Sequence, residues 1–207
     1  MLQRKPLFTF VMSAGLALLL IQTPVRSVWA AEKDAPKGKA VELKLETDSA
    51  VVLDADRNGM AAKTKLIPTA SYEGYGLAPV VDGIKKRKEL GWQEAAWASA
   101  EDDTPHGIEI QLSQPQRGGR FQITWAYDTN GDDKVAWWVS RDYVIQVKDK
   151  AGDDWKTVVA VKNNQSVVGS YPLPDTPFRF LRIYQLANGG HPSRPNLMWV
   201  GQLELVE

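Results

Sequence analysis

The sequence predicts an all-β protein, an antiparallel β-sandwich of the jelly-roll kind. Short segments such as 108–112 and 121–127 alternate apolar with polar residues, which is the period of a strand with one buried face. Residues rich in Gly, Pro, Asn and Asp separate these segments, as turns between antiparallel strands require. No segment sustains helical spacing over three turns. The nearest, 84–98, is interrupted by Gly91, so we expect at most one or two helical turns there.

One hairpin is fixed by alternation and turn chemistry together. It is the segment YVIQVKDKAGDDWKTV, from Tyr143 to Val158, in which a short turn carrying Gly152 joins two strands. Trp155 opens the second strand, and we expect its side chain to be buried. The remaining predicted strands are 41–46, 50–55, 108–112, 121–127, 178–186 and 198–206.

Residues 1–30 have the pattern of an export signal. Arg4 and Lys5 precede the apolar run Leu7 to Ile21, and small residues end at Ala30, as a signal peptidase requires. The run is shorter than the roughly 20 residues of a membrane span. We therefore expect a cleaved signal rather than an uncleaved anchor, no membrane span after cleavage, and a secreted or periplasmic protein.

Composition limits the function of the rest of the chain. Loss of the signal removes three of the 25 basic residues and none of the 25 acidic ones, which leaves a net charge of −3. This balance argues against a nucleic-acid partner. The chain has no cysteine, so disulfides and an N-terminal lipidated Cys are excluded. Residues 31–40 read as a polar linker, and residues 41–207 are enough for one sandwich domain.

Seven short motifs lie in one order along the chain: Ala70-Ser71, Val81-Asp82-Gly83, Trp97-Ala98-Ser99, Pro105 to Leu112, the hairpin with Tyr143, Gly152 and Trp155, Phe178 to Ile183, and Val200 to Leu205. In this order they resemble the discoidin-like family, also called coagulation factor 5/8 type C, within the galactose-binding-like fold. The resemblance covers residues 66–207 and implies a binding module. Residues 41–65 precede it and could add a strand to one sheet or cap the fold.

The resemblance also implies a structural calcium ion near the Asp-Gly turn. Its ligands here would be Asp82 and Gln202, although the family commonly has a carboxylate at the second position. The alternative is that Asp82 only shapes a turn. Two other acidic segments, 54–59 and 128–132, lack the acidic twelfth residue of a calcium loop, and we interpret them as hairpin turns.

The tryptophans divide by their context. Trp125, Trp155 and Trp199 lie on predicted strands and are expected in the core, and the resemblance implies the same for Trp97. Trp92, Trp137 and Trp138 lie in or beside long connections. Trp137 and Trp138 are adjacent, so on a strand they would point to opposite faces and one would be exposed. An exposed indole next to polar groups suits the stacking of a sugar ring. Alternatively, it packs under its own loop.

A second long loop, 187–197, displays hydrogen-bonding side chains between two glycines and two prolines. Such a loop could contribute to a ligand face or form a plain surface turn. The predicted ligand-binding residues are Trp92, Trp137, Trp138, Arg141, His191, Arg194 and Asn196.

Catalysis finds little support in the sequence. With two histidines and no cysteine, zinc sites built from three His or from Cys are impossible, and no nucleophile or phosphate-binding motif occurs. The prediction is therefore a non-catalytic module that binds a glycan or cell-surface polysaccharide. The main alternative is a protein-interaction or envelope-scaffold module that uses the same loops. A small hydrolase would need two carboxylates facing one cleft.

Overall fold

The computed structural model describes residues 41–84, 90–130 and 134–207, and it gives no side-chain burial for 127–130 and 134–137. The predicted signal 1–30 and linker 31–40 lie outside these residues. The predicted fold is confirmed, because two antiparallel sheets pack face to face. Within the described residues no helix is long and apolar enough to cross a membrane.

Twelve strands and one short helix, α1 (Trp92–Ala95), are described. The larger sheet has the order β1-β2-β4-β11-β8-β9, the smaller sheet β10-β5-β12-β3, and β6-β7 form a separate hairpin. The strands are β1 (Val51–Val52), β2 (Lys65–Pro68), β3 (Trp97–Ala98), β4 (His106–Gln116), β5 (Arg120–Trp125), β6 (Tyr127–Asn130), β7 (Lys134–Trp137), β8 (Tyr143–Lys148), β9 (Lys156–Val161), β10 (Val168–Pro172), β11 (Phe178–Gln185) and β12 (Trp199–Val206).

The core lies between the two sheets and follows the predicted alternation. Ile108 and Ile110 of β4 face Phe121 and Ile123 of β5 across one continuous cluster of buried side chains. Trp125 is fully buried in this cluster, and its ring meets that of Tyr143 edge-on at 5.0 Å, a favoured aromatic geometry.

The N-terminal segment is part of this core. Leu53 and Met60 belong to the buried cluster, and residues 57–60 form the predicted hairpin turn around Asn58 and Gly59, both with positive φ. The predicted strand 41–46 is wrong, since only Leu45 forms an isolated bridge, with Thr69. Burial of the two side chains fixes the segment against the sandwich without a long strand.

The hairpin between Tyr143 and Val158 is confirmed, but Trp155 is half-buried instead of buried. It lies on the outer face of the larger sheet, 4.3 Å from the Arg182 guanidinium and 4.6 Å from Lys148 Nζ, measured to the ring centroid. The register explains this, because Val147 pairs with Lys156 and Trp155 is then opposite Lys148. Residues opposite each other in an antiparallel pair share a face, and that face is the outer one.

Candidate functional site

Five aromatic rings gather on the outer side of the smaller sheet, away from the main core. We call them the outer aromatic cluster: Tyr72, Tyr75, Trp92, Trp138 and Trp199. Their floor is made of small residues, since Ala98 pairs with Trp199 across the β3–β12 ladder and Ala96 and Ala126 belong to the same buried group. Alanines leave space above the sheet that large rings can fill.

Trp199 is at the centre of the cluster, and its position corrects a prediction. It is 6% exposed, but it packs with the outer group and not with the main core. The register of β12 against β5 shifts between Val200 and Gln202. Such a bulge reverses the inside–outside alternation, so Leu203 and Leu205 point inward while Trp199 points outward.

The other rings surround Trp199 at contact distances. The centroids of Trp92, Trp138 and Tyr75 lie 4.5, 5.5 and 5.9 Å from that of Trp199. Tyr72 extends the row, 6.0 Å from Tyr75, and is 42% exposed. These are the offset and edge-on separations that stabilise aromatic pairs, so the indoles are held in place before any ligand arrives.

His191 adds a polar edge to the cluster. Its ring meets the ring of Trp138 edge-on at 4.9 Å, and its Nδ1 accepts a hydrogen bond of 3.2 Å from the Ser193 backbone N–H. Partial burial and the nearby Arg141 charge lower the pKa of His191 below 6.5. The neutral ring therefore carries its proton on Nε2, where it can donate to a hydroxyl oxygen.

Arg194 and Glu101 form an ion pair beside the rings. Arg194 donates from Nε and an η nitrogen to the two carboxylate oxygens, at 3.0 and 2.5 Å, and its guanidinium lies over Tyr72 and Trp199 at 5.6 and 6.0 Å. The hydrogen bonds from Arg194 lower the pKa of Glu101. Each side chain is about one third exposed, so the pair presents fixed polar groups at the cluster rim.

Two indole donors in the cluster have no protein acceptor. Trp138 Nε1 and Trp199 Nε1 are buried and form no hydrogen bond within the described part of the chain. A buried N–H group normally has a partner. Trp125 Nε1 in the main core has the same status, so the missing partner does not by itself mark a ligand site, and the rings contribute their faces rather than their N–H groups.

Two predicted ligand residues hold the 187–197 loop instead of facing the cluster. Arg141 donates from Nε to Gly190 O at 2.8 Å, and Asn196 Oδ1 accepts from the Asn188 backbone N–H at 3.2 Å. Gly190 has no room for a side chain, since a Cβ would lie 2.7 Å from Pro195 O. The loop is thus a braced support for His191 and Arg194.

The structure brings four of the seven predicted ligand-binding residues together: Trp92, Trp138, His191 and Arg194. The side chain of Trp137 lies outside the described residues. Whether Trp137 is the exposed member of the Trp137–Trp138 pair therefore stays a prediction. Trp138 itself is half-buried. None of this tests ligand binding, which stays a prediction.

Sequence reasoning missed Tyr72, Tyr75, Glu101 and the outward direction of Trp199. The two tyrosines are three residues apart in a Gly-rich turn. This close spacing of aromatic residues could have identified them as candidates. Glu101 gave none, because its partner Arg194 is 93 residues away.

The predicted calcium ligands are a carboxylate that is hydrogen-bonded within its own turn and a buried neutral amide. Asp82 Oδ1 accepts a hydrogen bond of 2.8 Å from the Ile84 backbone N–H, and so caps its own turn. Gln202 is 1% exposed and brings a neutral amide where a carboxylate would attract a hard cation.

Asn58 supplies a hydrogen-bond donor in the same region. Its Nδ2 donates to Leu203 O at 2.8 Å and to Val80 O at 3.5 Å, and Val80 lies in the 3-10 helix Ala78–Val81 that ends at Asp82. Two carbonyl oxygens near the predicted ligands are thereby already used. Within the described ranges no three His, Asp or Glu side chains group as metal ligands. This donor set fits Ca²⁺ poorly, and the calcium prediction stays untested.

Acidification is expected to lower the stability of the folded protein, because it protonates His191 beside the cluster. Because the folded pKa lies below 6.5, the unfolded chain binds more protons between these two values. Stability from this group is complete above about pH 6.5 and is lost as the pH falls through that window. An NMR titration of the His191 ring should give a midpoint below 6.5, and a His191→Phe variant should lose this part of the pH dependence of unfolding. A midpoint above 6.5 would contradict the burial argument.

Comparison with known proteins gives a family and a fold. The F5/8 type C domain family matches residues 67–197. Solved structures of similar fold include chitosan-binding module 1 from a chitosanase/glucanase of Paenibacillus sp. IK-5, at 16% identity and a TM-score of 0.52, with 76% of this chain and 99% of that chain covered.

Two further similar structures are the family 32 carbohydrate-binding module of Clostridium perfringens NanJ in complex with galactose (13% identity, 70% and 93% covered, TM-score 0.52) and a fucose-binding module of Streptococcus pneumoniae (16% identity, 73% and 98% covered, TM-score 0.52). At these identities the likeness shows the fold. A search of curated proteins found no match to the chain.

Proposed function

The chain belongs to the F5/8 type C domain family, and from this premise we propose that it is an exported, non-catalytic module that binds a carbohydrate on the outer aromatic cluster. Export rests on the signal pattern of residues 1–30, and the location we propose is the periplasm or the cell exterior. The glycan is taken to be a cell-surface or free polysaccharide.

The observation that carries this proposal is the preformed group of rings with polar groups at its rim. The flat apolar face of a pyranose packs on an indole, and its hydroxyls need donors and acceptors at the ring edge. Here Trp92 and Trp138 flank Trp199, and His191 and the Arg194–Glu101 pair stand beside them.

The similar structures support the same ligand class. Their descriptions name chitosan, galactose and fucose as the ligands of those proteins. For the present chain we propose only the class of ligand, a carbohydrate, because the sequence identities are 13–16%.

The chemistry at the cluster favours binding over hydrolysis. A general acid for glycosidic cleavage needs a carboxyl group whose pKa is raised. Glu101, which pairs with Arg194 at the rim of the cluster, has a lowered pKa because Arg194 holds its charged form. It is suited to accept hydrogen bonds from hydroxyls and not to donate a proton.

A glycan array probed with the purified protein tests the proposal. We expect binding to one family of neutral or amino-sugar glycans, reduced by a Trp92→Ala change. Absence of glycan binding at high protein concentration would overturn the proposal. Loss of a protein partner by the same variant, without any glycan signal, would establish the protein-interaction alternative instead.

Metal removal tests the calcium prediction separately. Because the amide of Asn58 already bridges Val80 and Leu203, we expect EDTA to leave the melting temperature unchanged. A ligand that binds only the folded state stabilises it by mass action. A fall of several degrees on chelation, reversed by Ca²⁺ and abolished in an Asp82→Ala variant, would therefore establish a calcium site and contradict this expectation.

A further inference from the structure

A concave pocket of about 680 Å³ opens on the larger sheet, on the face away from the core and from the outer aromatic cluster. It lies between the segment before β2 and the β8–β9 turn. Its floor is a row across three strands, in which Lys65 and Phe180 both pair with Gln111. The neighbouring row of Leu66, Ile110 and Leu181 is fully buried, so the floor residues point outward.

The pocket is lined by four basic side chains and one acidic one. The cations are Lys63, Lys65, Lys150 and Arg179, and the acid is Asp149. None of the four forms an ion pair with a described residue. Arg179 donates to Ser113 O at 3.1 Å, which orients the guanidinium without neutralising it. Like charges gathered on one concave surface repel each other and attract an anion.

The backbone at Lys63 gives a second, independent reason. Its φ is +69°, and the other non-glycine residues with positive φ in the described ranges are Asn58, Asn163 and Asn188. Asparagine tolerates this conformation, whereas for lysine it costs roughly 1 kcal/mol. A hydrogen bond of 2.8 Å from Lys63 N to Leu53 O holds the conformation. Strain of this kind persists at functional sites, and here it places an ammonium group at the pocket wall.

The floor offers contacts beyond charge. Phe180 presents a ring that Lys148 approaches at 5.2 Å to its centroid, and Gln111 presents an amide that bonds to Glu109 at 2.9 Å. A flat ring, an amide and several cations suit a sugar ring that carries a carboxylate or sulfate. A DNA duplex would be attracted by charge, but its bases are stacked inside the helix and would not reach the ring.

We propose that this pocket is a second binding site, for an acidic polysaccharide bearing carboxylate or sulfate groups. It lies on the sheet opposite to the outer aromatic cluster, so the protein can hold a neutral and an acidic glycan at the same time. The pocket does not require the aromatic site. Binding at the pocket is tested with acidic polymers and binding at the outer aromatic cluster with a glycan array, so one site can be disproved without the other.

The test compares the purified protein with a Lys63→Asn/Arg179→Gln double variant, using polygalacturonate, dextran sulfate and neutral dextran as probes. Asparagine suits the positive φ, so Lys63→Asn removes charge while relieving strain. The control is Lys162→Gln together with Arg117→Gln, which removes the same charge from exposed positions outside the pocket lining. Each binding curve is measured at 50 and 200 mM NaCl, with the melting temperature alongside.

We expect one of the two acidic polymers, and not neutral dextran, to bind the wild type. The double variant should bind about tenfold more weakly, or roughly 1.4 kcal/mol, with no loss of melting temperature, and the control variant should bind as the wild type does. Equal losses in both variants would show a general charge effect and overturn the pocket. No binding of either polymer at 50 mM NaCl, or equally tight binding of a DNA duplex, would overturn the proposed ligand class. A Trp138→Ala variant should keep polyanion binding, which separates this site from the aromatic one.

Discussion

Replacing Trp138 with alanine is expected to weaken glycan binding roughly thirtyfold while leaving the fold intact. The indole is half-buried and contacts both Trp199, at 5.5 Å, and His191, at 4.9 Å. It belongs to the outer group and not to the main core. Truncation of an aromatic side chain that a ligand packs on costs about 2 kcal/mol or more, which is roughly a thirtyfold loss of affinity. Isothermal titration with the glycan found on the array measures it.

The matched control is Trp155→Ala. Trp155 is also half-buried, but it packs on Arg182 and Lys148 over the opposite sheet. This variant should bind the glycan as the wild type does. A Trp138→Phe change keeps an aromatic ring of smaller area, so an intermediate affinity would support stacking of the sugar on this ring. If Trp155→Ala loses affinity and Trp138→Ala does not, the glycan site is on the other sheet.

Replacing Gly59 with alanine is expected to lower the free energy of unfolding more than any other substitution that we propose. A Cβ there would lie 1.8 Å from Leu205 O, and the φ of +73° disfavours any side chain. The turn cannot move away freely, because Leu205 N donates to Asn58 O at 2.8 Å and Asn58 Nδ2 donates to Leu203 O at 2.8 Å. We expect a cost of about 3–5 kcal/mol in the free energy of unfolding, or roughly 10 °C in melting temperature for a domain of this size.

Gly152→Ala is the control for this change. Gly152 also lies in a hairpin turn, but a Cβ there would have no neighbouring atom within 4 Å, and its φ is not positive. Chemical denaturation should show a change within about 0.5 kcal/mol for this variant. Similar denaturation midpoints for both variants would mean that the 54–60 turn is not fixed to β12, and that the N-terminal segment contributes little to the core.

Local patterns were sufficient to predict the architecture. Alternation in 108–112 and 121–127 identified two core strands, and the turn around Gly152 identified the hairpin of β8 and β9. The acidic segment 54–59 was correctly interpreted as a turn. These features depend on residues close together in sequence, where turn chemistry and period-two burial act directly.

The outer aromatic cluster was predicted only in part. Trp92, Trp138, His191 and Arg194 were predicted as ligand-binding residues because they lie in or beside long connections. The structure places them together, and their role in binding stays a prediction. Trp199 was misplaced because a one-residue bulge changed the face of the strand start. Gly201, an isolated glycine inside the predicted strand, was the local signal of that bulge. Arg141 and Asn196 have the right chemistry for a ligand, but the loop backbone uses them first.

The basic pocket was not predicted from the sequence, for a related reason. Lys63, Lys150 and Arg179 come from three distant segments, and the chain as a whole is close to neutral. Only the strand order β2-β4-β11-β8 places these cations on one surface. A net charge therefore says little about the charge of a single face.

The indole resonances of the ¹⁵N-labelled protein test the central claim most directly. On addition of the glycan, the Nε1–H signals of Trp138 and Trp199 should shift, because a sugar stacked on the cluster changes the surroundings of both rings, whose centroids lie 5.5 Å apart. The Nε1–H signals of Trp97, which donates to Ser71, and of Trp155 on the opposite sheet should stay in place. A glycan that shifts Trp155 and leaves Trp138 and Trp199 unchanged would contradict the outer aromatic cluster as the binding site.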